Sequence, residues 1–132
     1  MFINLSNHPS ALWSEEQTAT ARQQYGDVID LPFPTEDPES DEAYTDALAD
    51  EYCTKVMMTA NGQHVTVHAM GEMNFTFALV TRLLALGATC VASTTDRSAS
   101  ETADEHKTSC FKFIRFRKYQ KSHESPNQNR PD

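Results

Sequence analysis

Hydrophobic and polar positions change period several times along the chain, and each change marks an element. Phe2-Ile3-Asn4-Leu5 is a short run with apolar residues at both ends, followed by Ser6-Asn7-His8-Pro9-Ser10, the punctuation that ends a strand. Ser14-Glu15-Glu16-Gln17 fits a capping box, in which the serine accepts from the third helical N–H and the glutamine reaches back. A helix is therefore expected from Glu15 to Tyr25, with Gly26 as its stop. Val28, Ile29 and Leu31 form a second strand, ended by Pro32-Phe33-Pro34 because proline cannot donate within a ladder. After an acidic linker, Tyr44, Ala47, Leu48, Tyr52 and Val56 recur every three or four residues, an amphipathic helix from Asp41 to Asn61-Gly62.

The β-branched, alternating run Gln63 to Ala69 reads as a third strand, ended by Gly71. Phe77, Ala78, Val80, Leu83 and Leu84 mark a buried helix from Met73 to Leu86, closed by Gly87. Ala88 to Ala92 is the fourth strand, Ser98 to Ser109 a loop, and Phe111 to Arg117 the fifth strand. Strand and helix alternate as far as Ala92, the mark of βαβ units. The expected fold is α/β: a Rossmann-like, mainly parallel sheet with helices on both faces and an antiparallel C-terminal edge strand. One domain spans residues 1–121, and 122–132 are a polar tail expected to be disordered.

Charge changes this picture little but narrows the partners. The 132 residues carry a net charge of −8, and the acidity is one-sided. Residues 1–62 hold 12 acids against Arg22 and Lys55, concentrated between Glu36 and Glu51. Such a field argues against binding to a DNA duplex, while local bases still allow a small anionic ligand, because screening weakens interactions beyond about 8 Å. No run approaches the roughly 18 apolar residues of a membrane span, and the first residues lack the pattern of a signal peptide, so the expected location is cytoplasmic. Cys53, Cys90 and Cys110 are odd in number and widely spaced, which argues against a disulfide framework and against structural zinc. No cofactor or metal is expected.

Loops leaving the ends of parallel strands converge on one sheet edge, where ligands bind. Three such loops here are polar: Ser6 to Ser10, Gly71 to Thr76 and Ser93 to Arg97. The second opens a helix, whose free N–H groups favour phosphate; the alternative is plain turn chemistry at Gly71. Ser93, Thr94 and Thr95 set hydroxyls beside Arg97, whose guanidinium suits phosphate unless Asp96 or another acid pairs with it. His8 could move a proton, being a histidine in a polar loop. His64 and His68 read as core or solvent-facing residues rather than metal ligands. Lys112, Arg115, Arg117, Lys118 and Lys121 make either a nucleic-acid strip or a charged edge strand that deters aggregation.

Asn4-Leu5-Ser6-Asn7-His8, the Gly71-Glu72 turn, Ala92-Ser93-Thr94-Thr95-Asp96-Arg97 and Phe113-Ile114-Arg115-Phe116-Arg117-Lys118-Tyr119 together resemble small stand-alone CRISPR-associated proteins. These are the Rossmann-like, CARF-related ring nucleases of type III systems. The resemblance covers residues 2–119, and it is the order of the motifs that makes it specific. It implies a homodimer that binds cyclic oligoadenylate, above all the tetra-adenylate, and cuts it to linear products without a metal, switching off the antiviral signal. Carried onto this chain, His8 and Arg97 are the catalytic candidates. Ser6, Asn7, Gly71, Glu72, Met73, Asn74, Thr76, Ser93, Thr94 and Thr95 are the substrate-binding ones. Glu72 fits badly beside phosphate unless it accepts from an adenine amine or a ribose hydroxyl, or pairs with Arg97. The other readings are a non-catalytic cyclic-oligoadenylate sensor or sponge, and an unrelated nucleotide-binding regulatory domain; the absence of Gly-x-Gly-x-x-Gly after the first strand counts against dinucleotides.

Overall fold

Local signals set most element boundaries. The Ser14 hydroxyl accepts from the Gln17 N–H, and α1 runs over Glu15–Gln24. Asp41 accepts from the Tyr44 N–H in the same way, and α2 runs over Glu42–Ala60. It stops where Asn61 and Gly62 take positive φ of 50° and 86°, a conformation that costs little at these two residue types. α3 occupies Met73–Ala85. The strands are β1 (Phe2–Ser6), β2 (Val28–Asp30), β3 (Thr66–Met70), β4 (Thr89–Ser98) and β5 (Cys110–Lys118). The computed structural model describes residues 1–98 and 110–121; the expected 99–109 loop and the 122–132 tail lie outside them.

The strand order is β2-β1-β3-β4-β5, parallel from β2 to β4, with β5 antiparallel to β4. The fold is thus α/β with a mixed, mostly parallel sheet. Side chains alternate between its faces. Ile3, Leu5, Val67, Ala69 and Cys90 pack under α2 and α3, joined by Val56, Phe75, Leu79 and Leu83. Phe2, Val91, Phe113 and Phe116 form a second cluster with Trp13 and Ala21 of the α1 side. Arg82 of α3 bridges Asp46 and Asp50 of α2, at 3.5 and 2.6 Å, which gives part of the acidic segment a structural use.

Two expectations require correction. The third strand starts at Thr66 rather than Gln63, because the Gln63 N–H donates back to the Ala60 carbonyl and completes the turn. The segment Ser93 to Arg97 is not a loop. β4 continues through it to Ser98, paired residue by residue with β5 and interrupted by one register shift at Thr94/Thr95. Cross-strand partners explain this: Phe116 lies opposite Ser93 and Phe113 opposite Thr95, so the polar half of β4 is covered by aromatic residues. None of the helices among the described residues is long and apolar enough to cross a membrane.

Candidate functional site

The chain steps from β1 to β2 on one side and returns to β3 on the other, so the strand order reverses between β1 and β3. Loops leaving the two strands part there and open a crevice at their C-terminal ends. Asn4 sits beneath it, 2% exposed in the middle of β1. A buried amide is costly unless its polar atoms are paired, and every one of these is. Its Nδ2 donates to Asp30 Oδ1 at 2.8 Å and to the His8 carbonyl at 3.0 Å. Its Oδ1 faces Ser6 Oγ and His68 Nδ1, each at 2.8 Å. The Ser10 hydroxyl completes the set by donating to Asp30 Oδ2 at 2.6 Å. Burial raises the Asp30 carboxyl, but the bonds from Ser10 and Asn4 outweigh it and leave the pKa below the ordinary carboxylate value.

This network pins the 7–13 segment over the strand ends. The His8 carbonyl also accepts from Trp13 Nε1 at 3.1 Å, and the His8 N–H donates to Ser6 Oγ at 3.2 Å. The His8 backbone is therefore fixed while its side chain stays at the exposed surface. Beside it opens a cavity of about 420 Å³. Ser6, Asn7 and His8 form its β1 side, Ser93 and Thr95 its β4 side, and Trp13, Phe111 and Phe113 its aromatic walls. Met70, at the end of β3, joins the two sides, its sulfur accepting from the Ser93 N–H and hydroxyl at 3.2 Å each.

Two of the three expected segments thus meet, and the third does not. Glu72 and Asn74 line a different, acidic cavity of about 710 Å³ together with Glu36, Asp37 and Asp41. Glu72 caps its own helix: its Oε1 accepts from the Phe75 N–H at 2.7 Å, and Asn74 Nδ2 reaches its Oε2 at 3.4 Å. A carboxylate already occupies the positive end of α3, which removes the basis for a phosphate there. Gly71 packs under the Phe33 ring, so its missing Cβ serves packing and not ligand approach. Met73 is 83% exposed, Thr76 is buried, and neither these two nor Gly71 lines either cavity. Thr94 turns away as well, its hydroxyl donating to the Arg115 carbonyl at 3.1 Å. Arg97 is described through its backbone alone, which pairs with Phe111 on the cavity side of the hairpin.

Sequence reasoning missed His68 as a site residue. It lines the cavity, is 1% exposed, and has its pKa pushed down to about 4, by burial first and by His8 second. The available signal was its place two residues from the end of β3, on the same face as Asn4 and Ser6 in the paired register. Among the described residues no group of three or more His, Cys, Asp or Glu side chains is arranged to hold a metal ion.

A family model described as the Uncharacterized protein MJ1673 family matches residues 1–117. That span takes in every described residue lining the 420 Å³ cavity. Comparison with the curated proteins and with the solved structures gives no match.

Proposed function

From a chain that belongs to the MJ1673 family, described only as uncharacterized, and from the geometry of its strand-edge cavity, we propose a ring nuclease. In this reading a Rossmann-like, CARF-related domain binds cyclic oligoadenylate, most directly the tetra-adenylate, and cuts it to linear products. It would thereby end type III CRISPR antiviral signalling in the cytoplasm. The supporting observation is the meeting of Ser6, Asn7 and His8 with Ser93 and Thr95 around one aromatic-walled cavity at the reversal of strand order. Hydroxyl and amide groups suit ribose and phosphate, and aromatic faces suit stacked bases.

Size supports a dimer. About 420 Å³ is at the small end of ligand pockets, room for a nucleotide unit rather than a four-nucleotide ring. Two protomers about a two-fold axis present the same edge twice and match a ring of that symmetry. The chemistry needs neither metal nor cofactor. A ribose 2′-oxygen attacks the adjacent phosphorus, the bond from phosphorus to the 5′-oxygen breaks, and the products end in a 2′,3′-cyclic phosphate and a 5′-hydroxyl. His8 takes up or returns the moving proton, Arg97 stabilises the charge on the phosphoryl oxygens, and the pinned β1 loop holds the ribose for in-line attack. Glu72, Asn74, Gly71, Met73, Thr76 and Thr94 have no part in this chemistry.

The test is incubation of the purified protein with labelled cyclic tetra-adenylate in EDTA, followed by separation of products. Linear fragments bearing 2′,3′-cyclic phosphate ends are expected. An intact ring that travels with the protein would replace the enzyme by a sensor or sponge, and a ring that neither binds nor breaks would overturn the proposal.

A further inference from the structure

Asn4 fixes a proton whose position the proposed reaction does not use. Its Nδ2 faces two groups that can only accept, the Asp30 carboxylate and the His8 carbonyl, so the amide cannot be turned round. Its Oδ1 therefore faces His68, and the 2.8 Å contact places the proton on Nδ1. Nε2 is left as a bare lone pair. That atom is buried and has no hydrogen-bond partner among the described residues, on a ring that is 1% exposed and lines the 420 Å³ cavity. With a pKa of about 4 the ring is neutral at pH 7 and holds that lone pair free. No described residue donates a hydrogen bond to it. Trp13 stands edge-on at 5.1 Å with its own N–H committed to the His8 carbonyl, and Phe116 stands edge-on at 5.7 Å. A buried acceptor left unpaired is costly, so a ligand that brings a donor to it gains a hydrogen bond that none of the described residues supplies.

We propose that His68 Nε2 is the specificity-determining acceptor of this cavity, reading an N–H donor on the edge of the bound base. It accepts from an amino-substituted purine such as adenine and rejects the keto counterpart, hypoxanthine, which presents an oxygen lone pair in the same place. A base rather than a sugar belongs there because the Trp13 ring stands beside His68 and Phe111 and Phe113 line the same cavity, whereas the hydroxyl groups lie along β1 and β4. Asn4 and Asp30 act as positioning residues that hold the tautomer. This assignment rests on the cyclic oligoadenylate reading above and adds what selects the base.

Calorimetric titration with cyclic tetra-adenylate and cyclic tetra-inosinate tests it, on the wild type, His68→Phe and His68→Gln, with the unfolding midpoint of each protein measured alongside. The wild type is expected to prefer the adenylate ring by at least about tenfold, because a site built around one hydrogen-bond pattern discriminates strongly against its inverse. His68→Phe loses the preference, and His68→Gln, which offers an acceptor oxygen, regains part of it. Equal binding of the two rings by the wild type, a comparison that needs no variant to fold, overturns the assignment and leaves the proposed function standing. A preference retained in His68→Phe does the same. Failure of the wild type to bind either ring overturns both.

Discussion

Protonating His68 in the folded chain would place a charge among Phe2, Trp13 and Phe116, with ring centroids at 6.5, 5.1 and 5.7 Å. In the unfolded chain the same imidazole titrates near the ordinary histidine value of 6.5, whereas in the fold it titrates near 4. Between these values the unfolded chain binds a proton that the folded chain refuses, so stability is complete above pH 6.5 and falls as the pH drops toward 4. At about 1.4 kcal/mol per pH unit, the full window is worth roughly 3 kcal/mol, of which about 2.5 kcal/mol is lost by pH 4.5. For a chain of this size that is a fall in Tm on the order of 10 °C. The assay is urea unfolding followed by circular dichroism at pH 7.5 and pH 4.5, for the wild type and for His68→Gln. Carboxylates titrate in both proteins, so the double difference isolates the histidine. The wild type should lose about 2.5 kcal/mol more than the variant; equal losses would refute the reasoning.

Other substitutions separate packing from chemistry. Gly71→Ala drives a methyl group into the Phe33 ring and should cost about 1–3 kcal/mol in denaturant unfolding, with part recovered by Phe33→Leu. Arg82→Met removes both ion pairs to α2, but the carboxylates are largely exposed, so the loss should stay below about 1 kcal/mol and shrink further in high salt. His8→Ala and Arg97→Ala should each slow ring cleavage while their unfolding midpoints stay at the wild-type value. Unchanged turnover in His8→Ala would confine that residue to its backbone role.

Local chemistry made much of the fold legible. Ser14 announces its helix as a cap, the three- and four-residue spacing from Tyr44 and the Asn61-Gly62 stop mark the second helix, and the alternation in β3 marks the sheet. What was hidden depends on partners far along the chain. Ser93 to Arg97 reads as a polar loop until Phe113 and Phe116 are seen opposite it in β5. Glu72 looks out of place because an anion beside phosphate is unfavourable, and since glutamate is not among the preferred N-caps nothing local shows that its carboxylate caps α3. Asp46 and Asp50 look like a merely acidic helix face until α3 brings Arg82 between them. For the site, the meeting of the β1 and β4 segments could be read from their places at the ends of parallel strands, whose polar segments open on one sheet edge. The tautomer of His68 could not, since it is set by an asparagine 64 residues away.

Trp13 is the sole tryptophan of the chain and forms part of the cavity wall, so its fluorescence reports directly on occupancy. Titration with cyclic tetra-adenylate should give saturable quenching that ends at one ring per two chains. Emission that does not change while the ring is bound would place the ligand elsewhere and contradict the account.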